Sequence, residues 1–451
     1  MATASLLVDH PGTLGQLADV FVRRRIVIAA DPDGQLVLIR PDSIVIDVAD
    51  GDFQRAADVL SRRFGDQARE RLSEPGKSGL VRYGLGDDVR PIEIGGEERF
   101  SAGPVQDVLQ ALREDGLVVE SNHVVLGSQT IKGSPVGTSA YYAGGMMFTA
   151  DIVRTDVGPV LKSTSEPALE PAFLRQPLNL GHDVPQVLVL DTGLRTAAAK
   201  GTAVEHPALA CARLHSPWLQ DSTAGQIDDE DEYDDDGSGT LDFEAGHGTF
   251  ITGIIQQICP DAEVHVAGVL SSFGDGDVAT VVEAFETAMT HAGPFDLVIL
   301  SLGGYLTDDD GSIFGAALDR LLGDGLGVAA AGNQSTSRPY FPAAWPSIVG
   351  VGALGESDKA WFTNFGGWVD ACAPGIDVVS TFFVERDDGA PNEPPFTGWA
   401  RWSGTSFSAP KVAGVLAQEM YLTQSTAREA WRRLSHHQRY RFADLGTVFN
   451  V

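Results

Sequence analysis

The chain has little cysteine. Its 451 residues include 3 cysteines, and these stand at Cys211, Cys259 and Cys372. Three thiols cannot form a dense disulfide scaffold, and their spacing matches no metal-binding pattern. We therefore expect buried or free thiols in a reducing compartment.

Positive charge is also scarce. The chain has 32 Lys and Arg against 62 Asp and Glu, which gives a formal net charge of -30. Such a surface repels phosphate backbones and anionic lipids, so the composition argues against nucleic acid and membranes as partners. The excess of acid fits solubility, or the attraction of basic peptides.

Long apolar runs are absent too. No stretch of about 18 apolar residues occurs, so the sequence predicts no spanning helix. The first ten residues have no positively charged segment and no apolar core of the length that a signal peptide needs. Together with the thiols, these features predict a cytoplasmic protein.

Four short motifs, far apart in the chain, stand out against this background. Asp191 begins Asp-Thr-Gly directly after an apolar run, and His247 lies between two glycines. Asn333 ends Ala-Ala-Gly-Asn, and Ser406 lies within Gly-Thr-Ser-Phe-Ser-Ala-Pro. Each motif alone is weak evidence, but their order and local settings together predict a hydrolase.

The four residue types supply the parts of one reaction. A serine hydroxyl needs a neighbouring base, which histidine provides near neutral pH. A carboxylate orients the imidazole, and a fixed amide stabilises the oxyanion. Ser406, His247, Asp191 and Asn333 are the candidates, and this chemistry requires no cofactor or metal.

The motifs resemble those of the subtilisin-like serine proteases (subtilases). The resemblance covers residues 184–427 and implies that Asp191, His247 and Ser406 form the catalytic triad, with the Asn333 amide on the oxyanion. It also implies that one segment pairs with the substrate backbone and another lines the pocket for the residue before the scissile bond. These are Ser301, Leu302, Gly303 and Gly304, and Ala330, Ala331 and Gly332, respectively.

Two residues depart from the family pattern. Phe250 stands where the family usually has a second histidine, and Phe407 stands where it usually has methionine. Neither position carries the chemistry, so we expect a change of pocket shape rather than a loss of activity.

The fold prediction rests on alternating apolar runs and helical patterns. Five predicted strands alternate with three helices, which indicates a three-layer α/β domain with a mainly parallel sheet. The strands are 186–190, 264–269, 296–301, 327–331 and 348–353, and the helices are 249–258, 277–291 and 311–322. A helix from about residue 409 follows the serine motif, with Pro410 tolerated in its first turn, and a last helix spans 426–434.

Residues 1–150 differ in character and predict a smaller α+β domain of β-α-β-β-α-β order. This order is similar to that of the inhibitory pro-domains of subtilases, which cover the cleft. An unrelated binding or regulatory module remains an open alternative. Residues 151–183 are predicted to be a linker and 184–451 the peptidase domain. Any processing of a zymogen is expected between Val125 and Pro185.

An acidic run occupies residues 228–236, between the aspartate and histidine motifs. Three interpretations remain open: a solvated loop, a calcium site, or an attraction for basic substrates. The spacing fits a calcium loop only loosely, because the usual terminal glutamate is out of register.

The sequence therefore predicts an intracellular serine endopeptidase that acts on peptide or protein substrates, with an N-terminal domain that is either an intramolecular inhibitor or a separate binding or regulatory module. The alternative is a catalytically silent protein of the same fold that binds peptides or serves as a scaffold.

Overall fold

The chain forms two compact units. The computed structural model describes residues 22–30, 36–48, 53–64, 76–85, 92–94, 97–127, 175–195, 206, 209, 213–215, 231, 233–234, 241–242, 244–306, 312–384, 396–437 and 440–451. The smaller unit comprises Met1–Val125, Asp277–Glu283 and Gly304–Leu321, and the larger comprises Leu126–Gly276, Ala284–Gly303 and Leu322–Val451. Most of the predicted linker, up to residue 174, lies outside the described residues.

The N-terminal part of the smaller unit is built on an antiparallel sheet with two helices. Strand β2 pairs with β1, β3 and β6, and β4 pairs with β5. The strands are β1 (Val27–Ala30), β2 (Leu36–Asp47), β3 (Leu80–Gly84), β4 (Ile92–Ile94), β5 (Glu97–Arg99) and β6 (Val119–Gly127), and the helices are α1 (Phe53–Phe64) and α2 (Gly103–Glu114). Every N-terminal element predicted from the sequence is present, whereas β1 and β5 were not predicted.

Helix α2 shows why this unit folds. Its apolar residues Val105, Val108, Leu109 and Leu112 recur at helical spacing and are all buried. A proline in the first turn is compatible with the helix start because the first N–H groups have no intrahelical partner.

A buried ion cluster stabilises the same unit. The Asp277 carboxylate accepts hydrogen bonds from Arg40 and Arg82, both at 3.2 Å. Arg82 also donates to Thr280 at 2.7 Å and to Glu283 at 3.1 Å. Burial raises the pKa of Asp277, but the two guanidinium groups outweigh it and hold the pKa well below its usual range.

The larger unit contains a nine-stranded sheet. Its order is β18-β19-β15-β14-β13-β11-β7-β9-β8, and every neighbouring pair is parallel except β18 with β19. The strands are β7 (Gln186–Asp191), β8 (Arg213–His215), β9 (Glu263–Gly268), β11 (Leu297–Leu300), β13 (Leu326–Ala330), β14 (Ile348–Leu354), β15 (Ala371–Pro374), β18 (Arg441–Phe442) and β19 (Gly446–Val448). The predicted α/β fold with a mainly parallel sheet is confirmed.

Helices cover this sheet, and a separate strand pair completes the unit. Both sheet faces are buried: Val187 and Val189 pack in the same core as the helical residues Ile251 and Val412, while Leu188 and Leu190 on the opposite face are equally inaccessible. The remaining elements of the chain are β10 (Asp275–Asp277), β12 (Leu302–Gly303), the antiparallel pair β16 (Val378–Val384) and β17 (Thr397–Trp402), and the helices α3 (His247–Ile258), α4 (Val278–His291), α5 (Ser312–Leu322), α6 (Thr405–Thr423) and α7 (Ala427–His437). Of these, α4 up to Glu283 and α5 up to Leu321 belong to the smaller unit.

The start of α6 corrects the sequence prediction. The helix begins at Thr405, so Pro410 lies inside it rather than in its first turn. A proline has no N–H, and the carbonyl of Ser406, four residues earlier, therefore lacks its helical donor. The Ser301 hydroxyl replaces that donor at 2.9 Å.

Two of the three cysteines are described. Cys259 and Cys372 are buried free thiols, and burial raises the pKa of each to about 12. Cys211 lies outside the described residues. Within the described ranges, no helix combines the length and apolarity needed to cross a membrane.

Candidate active site

The aspartate and histidine motifs meet at the carboxyl end of β7. Asp191 is the last residue of this strand, and its Oδ1 lies 2.7 Å from Nδ1 of His247. Both side chains are fully buried. The backbone N–H of Thr192 also donates to the Asp191 carboxylate, at 2.8 Å. The carboxylate is thus placed to orient the imidazole.

Glycine allows the two motifs to approach closely. A Cβ on Gly248 would lie 2.1 Å from the carbonyl oxygen of Gly193, so no larger residue fits there. The Gly248 N–H donates to the Thr192 hydroxyl at 2.9 Å. Gly246, which precedes α3, has a φ of 84°, a conformation that favours glycine.

Asp231 connects both motifs. Its carboxylate accepts hydrogen bonds from the Thr192 hydroxyl at 3.0 Å, the Gly246 N–H at 2.8 Å, and the N–H and hydroxyl of Thr249 at 3.1 and 2.7 Å. Burial raises the pKa of Asp231 to about 7, although these hydrogen bonds oppose the shift. The interpretation of the acidic run as a solvated loop is therefore wrong for Asp231.

Ser406 lies in the first turn of α6. Its Oγ is 3.3 Å from the carbonyl oxygen of Ser301. The His247 ring lies beside the following residue, with 5.4 Å between its centroid and that of Phe407. Among the described residues, Nε2 of His247 has no hydrogen-bond partner.

The asparagine motif is fixed against the start of α6. Asn333 Oδ1 accepts hydrogen bonds from the N–H and hydroxyl of Thr405, at 3.0 and 2.9 Å. The Thr405 hydroxyl in turn accepts from the Gly332 N–H at 3.1 Å. These hydrogen bonds hold the Asn333 side chain against the first turn of the helix that carries Ser406.

The predicted substrate-pairing segment is divided between the units. Ser301, Leu302 and Gly303 belong to the larger unit, as do Ala330 at the end of β13 and the following Ala331 and Gly332, whereas Gly304 belongs to the smaller unit. Strand β12 pairs antiparallel with the end of β6: Leu302 lies opposite Gly127 and Gly303 opposite Leu126.

The two departures from the family pattern contact each other. The rings of Phe250 and Phe407 are 4.7 Å apart at their centroids, and both pack against Trp402. Trp402 also meets His247 edge-on, at 5.5 Å. Aromatic rings therefore enclose the imidazole where the family usually has histidine and methionine.

Sequence reasoning missed Glu244. Its Oε2 lies 3.5 Å from Nδ1 of His247, and the side chain is fully buried. Neither of its carboxylate oxygens has a hydrogen-bond partner among the described residues. The only sequence signal was an acid followed by the two small residues Ala245 and Gly246, directly before the histidine.

The charges around His247 shift several pKa values. Burial raises the pKa of Glu244 to about 8, although His247 opposes this. Burial alone would lower the pKa of His247, but the carboxylates of Asp191, Glu244 and Asp231 outweigh it and raise the pKa to about 9. Both shifts favour a protonated cluster at neutral pH in this state.

In the part of the chain that the structure describes, no cluster of histidine, cysteine and carboxylate side chains could hold a metal. Within the acidic run only Asp231, Tyr233 and Asp234 are described. A calcium site or an attraction for basic substrates in the rest of the run stays a prediction.

Comparisons with known proteins agree on one family. The model of the Subtilase family matches residues 182–441. The thermophilic serine proteinase of Bacillus sp. (strain AK1) is 31% identical over 183 residues, which cover 38% of this chain and 41% of that protein. Subtilisin NAT of Bacillus subtilis subsp. natto is 30% identical over 188 residues, covering 38% and 45%.

A cuticle-degrading serine protease of Arthrobotrys oligospora is 29% identical over 252 residues, which cover 54% of this chain and 53% of that protein. A solved cold-adapted subtilisin-like serine proteinase has 24% identity and a TM-score of 0.44, covering 60% of this chain and 89% of its own. The matched region spans about half the length of the curated relatives or less. Because the family model matches more than half of the residues of this chain, the chain belongs to the subtilase family.

Proposed function

We propose that this chain is a serine endopeptidase. The observation that carries the proposal is the 2.7 Å contact between Asp191 and His247, in a subtilase-family chain that holds Ser406 in the first turn of a neighbouring helix. Peptide or protein substrates follow from the names of the relatives, which are serine proteases and subtilisins.

The proposed reaction gives each group a distinct role. Nε2 of His247 takes the proton from the Ser406 hydroxyl while Oγ attacks the substrate carbonyl carbon. Asp191 holds the Nδ1–H and stabilises the imidazolium. The Asn333 amide and the Ser406 N–H, at the positive end of α6, stabilise the oxyanion.

Collapse of the tetrahedral intermediate breaks the peptide C–N bond, and His247 returns its proton to the leaving amine. Water then attacks the acyl-enzyme by the same route, releases the acid and restores the Ser406 hydroxyl. His247 must be neutral to start the reaction. Because its raised pKa keeps it protonated in the state described here, we expect activity to require an opened cleft or a higher pH.

Turnover of a diverse peptide library tests this proposal. Ser406→Ala should reduce turnover by about 10⁶-fold, because the nucleophile is lost. Ser425→Ala, at a half-buried residue just beyond the end of α6, is the matched control and should leave the rate unchanged. Equal turnover by wild type and Ser406→Ala would refute the assignment.

One observation favours the silent alternative. The segment predicted to bind substrate already pairs with Leu126 and Gly127 of the same chain. A scaffold would keep this strand permanently in place, whereas a zymogen would release it. Reaction of Ser406 with a fluorophosphonate after limited proteolysis favours the enzyme, and no reaction favours the scaffold.

The same pairing supports regulation by the N-terminal domain, with processing between Val125 and Pro185. The cytoplasmic location remains part of this proposal, supported by the two buried free thiols. Fractionation of the source cells, followed by detection of the chain, tests it.

A further inference from the structure

The residue opposite Leu302 has no room for a side chain. Gly127 occupies this position, and a Cβ built on it would lie 2.5 Å from Oε1 and 2.6 Å from Cδ of Glu244. Real Cβ atoms do not approach other atoms so closely. Glu244 therefore fills the space that a side chain of the paired strand would take.

The backbone does not explain why residue 127 is glycine. Gly127 is absent from the residues with positive φ, and its N–H donates to the Gly274 carbonyl at 2.8 Å. Its partners are those of an ordinary strand residue, which any L-amino acid could form. The three atoms nearest to a Cβ at this position all belong to the Glu244 carboxyl group.

Glu244 has little freedom to move aside. A Cβ on Gly274 would lie 2.2 Å from Cγ of Glu244, so the side chain already lies against that backbone. Oε2 lies 3.5 Å from His247 on another side, and the Glu244 side chain is fully buried. Gly127, Gly274 and His247 enclose the carboxyl group.

The register relates this position to the scissile bond. One step beyond Gly127, a paired strand would lie opposite Ser301, whose carbonyl oxygen is 3.3 Å from Oγ of Ser406. The residue there would present its carbonyl carbon to the nucleophile. The position opposite Leu302 is thus the residue before the one whose carbonyl is attacked.

We propose that Glu244 makes this enzyme selective for substrates with glycine at the second residue before the scissile bond, by occupying the space that any larger side chain would need. This inference rests on the proposed peptidase function. Recognition is steric, so the carboxyl group acts through its volume and not its charge.

The competing outcome is recognition of a basic side chain. A carboxylate beside the cleft would pair with lysine if it could turn outward and stay ionised. The enclosure of Glu244 and the lack of a donor to it argue against this. Peptides with glycine, alanine and lysine at the position separate the two outcomes.

The first test measures kcat/KM of the full-length protein, normalised to the fraction of Ser406 that a fluorophosphonate labels. The substrates carry the sequence of residues 124–131, Val-Val-Leu-Gly-Ser-Gln-Thr-Ile, with the glycine kept or replaced by alanine or lysine. Glycine should exceed both by at least about tenfold, the scale of an overpacked methyl group.

Glu244 variants show whether volume or charge is responsible. Glu244→Ala should reduce the glycine-to-alanine ratio to within about threefold, whereas the equally bulky Glu244→Gln should keep it. A preference for lysine that Glu244→Gln abolishes would overturn the proposal, and so would equal cleavage of the glycine and alanine peptides.

The second test needs no turnover, so it can fail independently of the proposed function. In a Ser406→Ala background, Gly127→Ala should lower Tm by at least about 2 °C. The loss should disappear when Glu244→Ala is also present. Gly367→Ala is the matched control, because a Cβ there meets no atom within 4 Å.

An equal loss with and without Glu244→Ala would overturn the steric argument, as would a loss no larger than that of Gly367→Ala. If the library and the fluorophosphonate show no activity but this thermal coupling holds, the peptidase proposal fails while the steric relation between residues 127 and 244 stands.

Discussion

Asp231 and Glu244 both raise the pKa of His247 but differ in what surrounds their carboxyl groups. Asp231 accepts four hydrogen bonds from the aspartate and histidine motifs, and Glu244 accepts none from a described residue. Both are fully buried, and burial raises the pKa of each. A buried acid with several donors connects parts of the fold, whereas one without donors needs another explanation.

Asp191 is a third buried carboxylate at this site, and it differs from the other two because it forms a hydrogen bond with the His247 imidazole. Among the described residues, buried polar atoms without a partner recur here: Asp191 Oδ2, both Glu244 oxygens and His247 Nε2. Such groups destabilise a protein and are typical of functional sites. The contrast marks Asp231 as a structural residue and supports the proposal that Asp191 and His247 act on a substrate.

The largest expected effect belongs to Asp191. Asp191→Asn should lower kcat by about 10⁴-fold, because an amide cannot enforce the same imidazole tautomer. The unfolding free energy of Asp191→Asn should differ little from that of the wild type, which urea unfolding can measure. A variant within tenfold of the wild-type kcat would remove Asp191 from the site.

Asn333 should have the next largest effect on turnover. Asn333→Ala should lower kcat by about 10²–10³-fold through the loss of an oxyanion donor, with KM little changed. Steady-state kinetics on one peptide measures both constants. A change confined to KM would show that Asn333 binds the ground state instead.

Asp231 should affect the stability of the fold more than the chemistry. Asp231→Ala leaves the donors of Thr192, Gly246 and Thr249 buried without an acceptor, which should cost about 3 kcal/mol of unfolding free energy. Asp231→Asn keeps part of the network and should cost less. If Asp231→Ala unfolds at the wild-type urea midpoint, the structural role assigned to it is wrong.

Glu244 should affect the pH dependence of the reaction at Ser406. Its carboxylate raises the pKa of His247, so removing the charge should lower that pKa. Fluorophosphonate labels Ser406 only when the His247 imidazole is neutral. The acidic limb of the pH profile of the labelling rate should therefore move to lower pH in Glu244→Gln. Glu356→Gln, at an exposed residue, is the matched control and should leave the limb in place. A shift to higher pH would contradict this account.

The smallest expected effect concerns a single hydrogen bond. Ser301→Ala removes the donor to the Ser406 carbonyl, which Pro410 leaves without a helical partner. The expected loss is about 1 kcal/mol of unfolding free energy. Pro410→Ala supplies an N–H at residue 410 that can bond the Ser406 carbonyl. Adding it to Ser301→Ala should therefore recover part of the lost unfolding free energy. No recovery would show that the proline does not determine the need for the Ser301 hydrogen bond.

Local patterns were sufficient to predict much of this molecule. The apolar run before Asp191 and the glycines around His247 predicted a strand end and a helix start, because these signals lie within a few residues. The start of α6 was misplaced because Pro410 suggested a first turn, and only the distant Ser301 shows how an interior proline is tolerated.

Nonlocal packing explains what the sequence did not reveal. Asp231 lies in an acidic run that looks solvated, and its burial depends on donors from two other motifs. Glu244 is buried because Gly127 and Gly274 approach it from distant parts of the chain. No periodicity near residue 244 could indicate those contacts.

Asp191, His247 and Ser406 should act as one unit, and intact-mass analysis after fluorophosphonate treatment reports on all three. We expect one adduct per chain, on Ser406, which forms after limited proteolysis and is strongly slowed by His247→Ala. Labelling at the same rate in His247→Ala, or no labelling of proteolysed wild type at any pH, would contradict it.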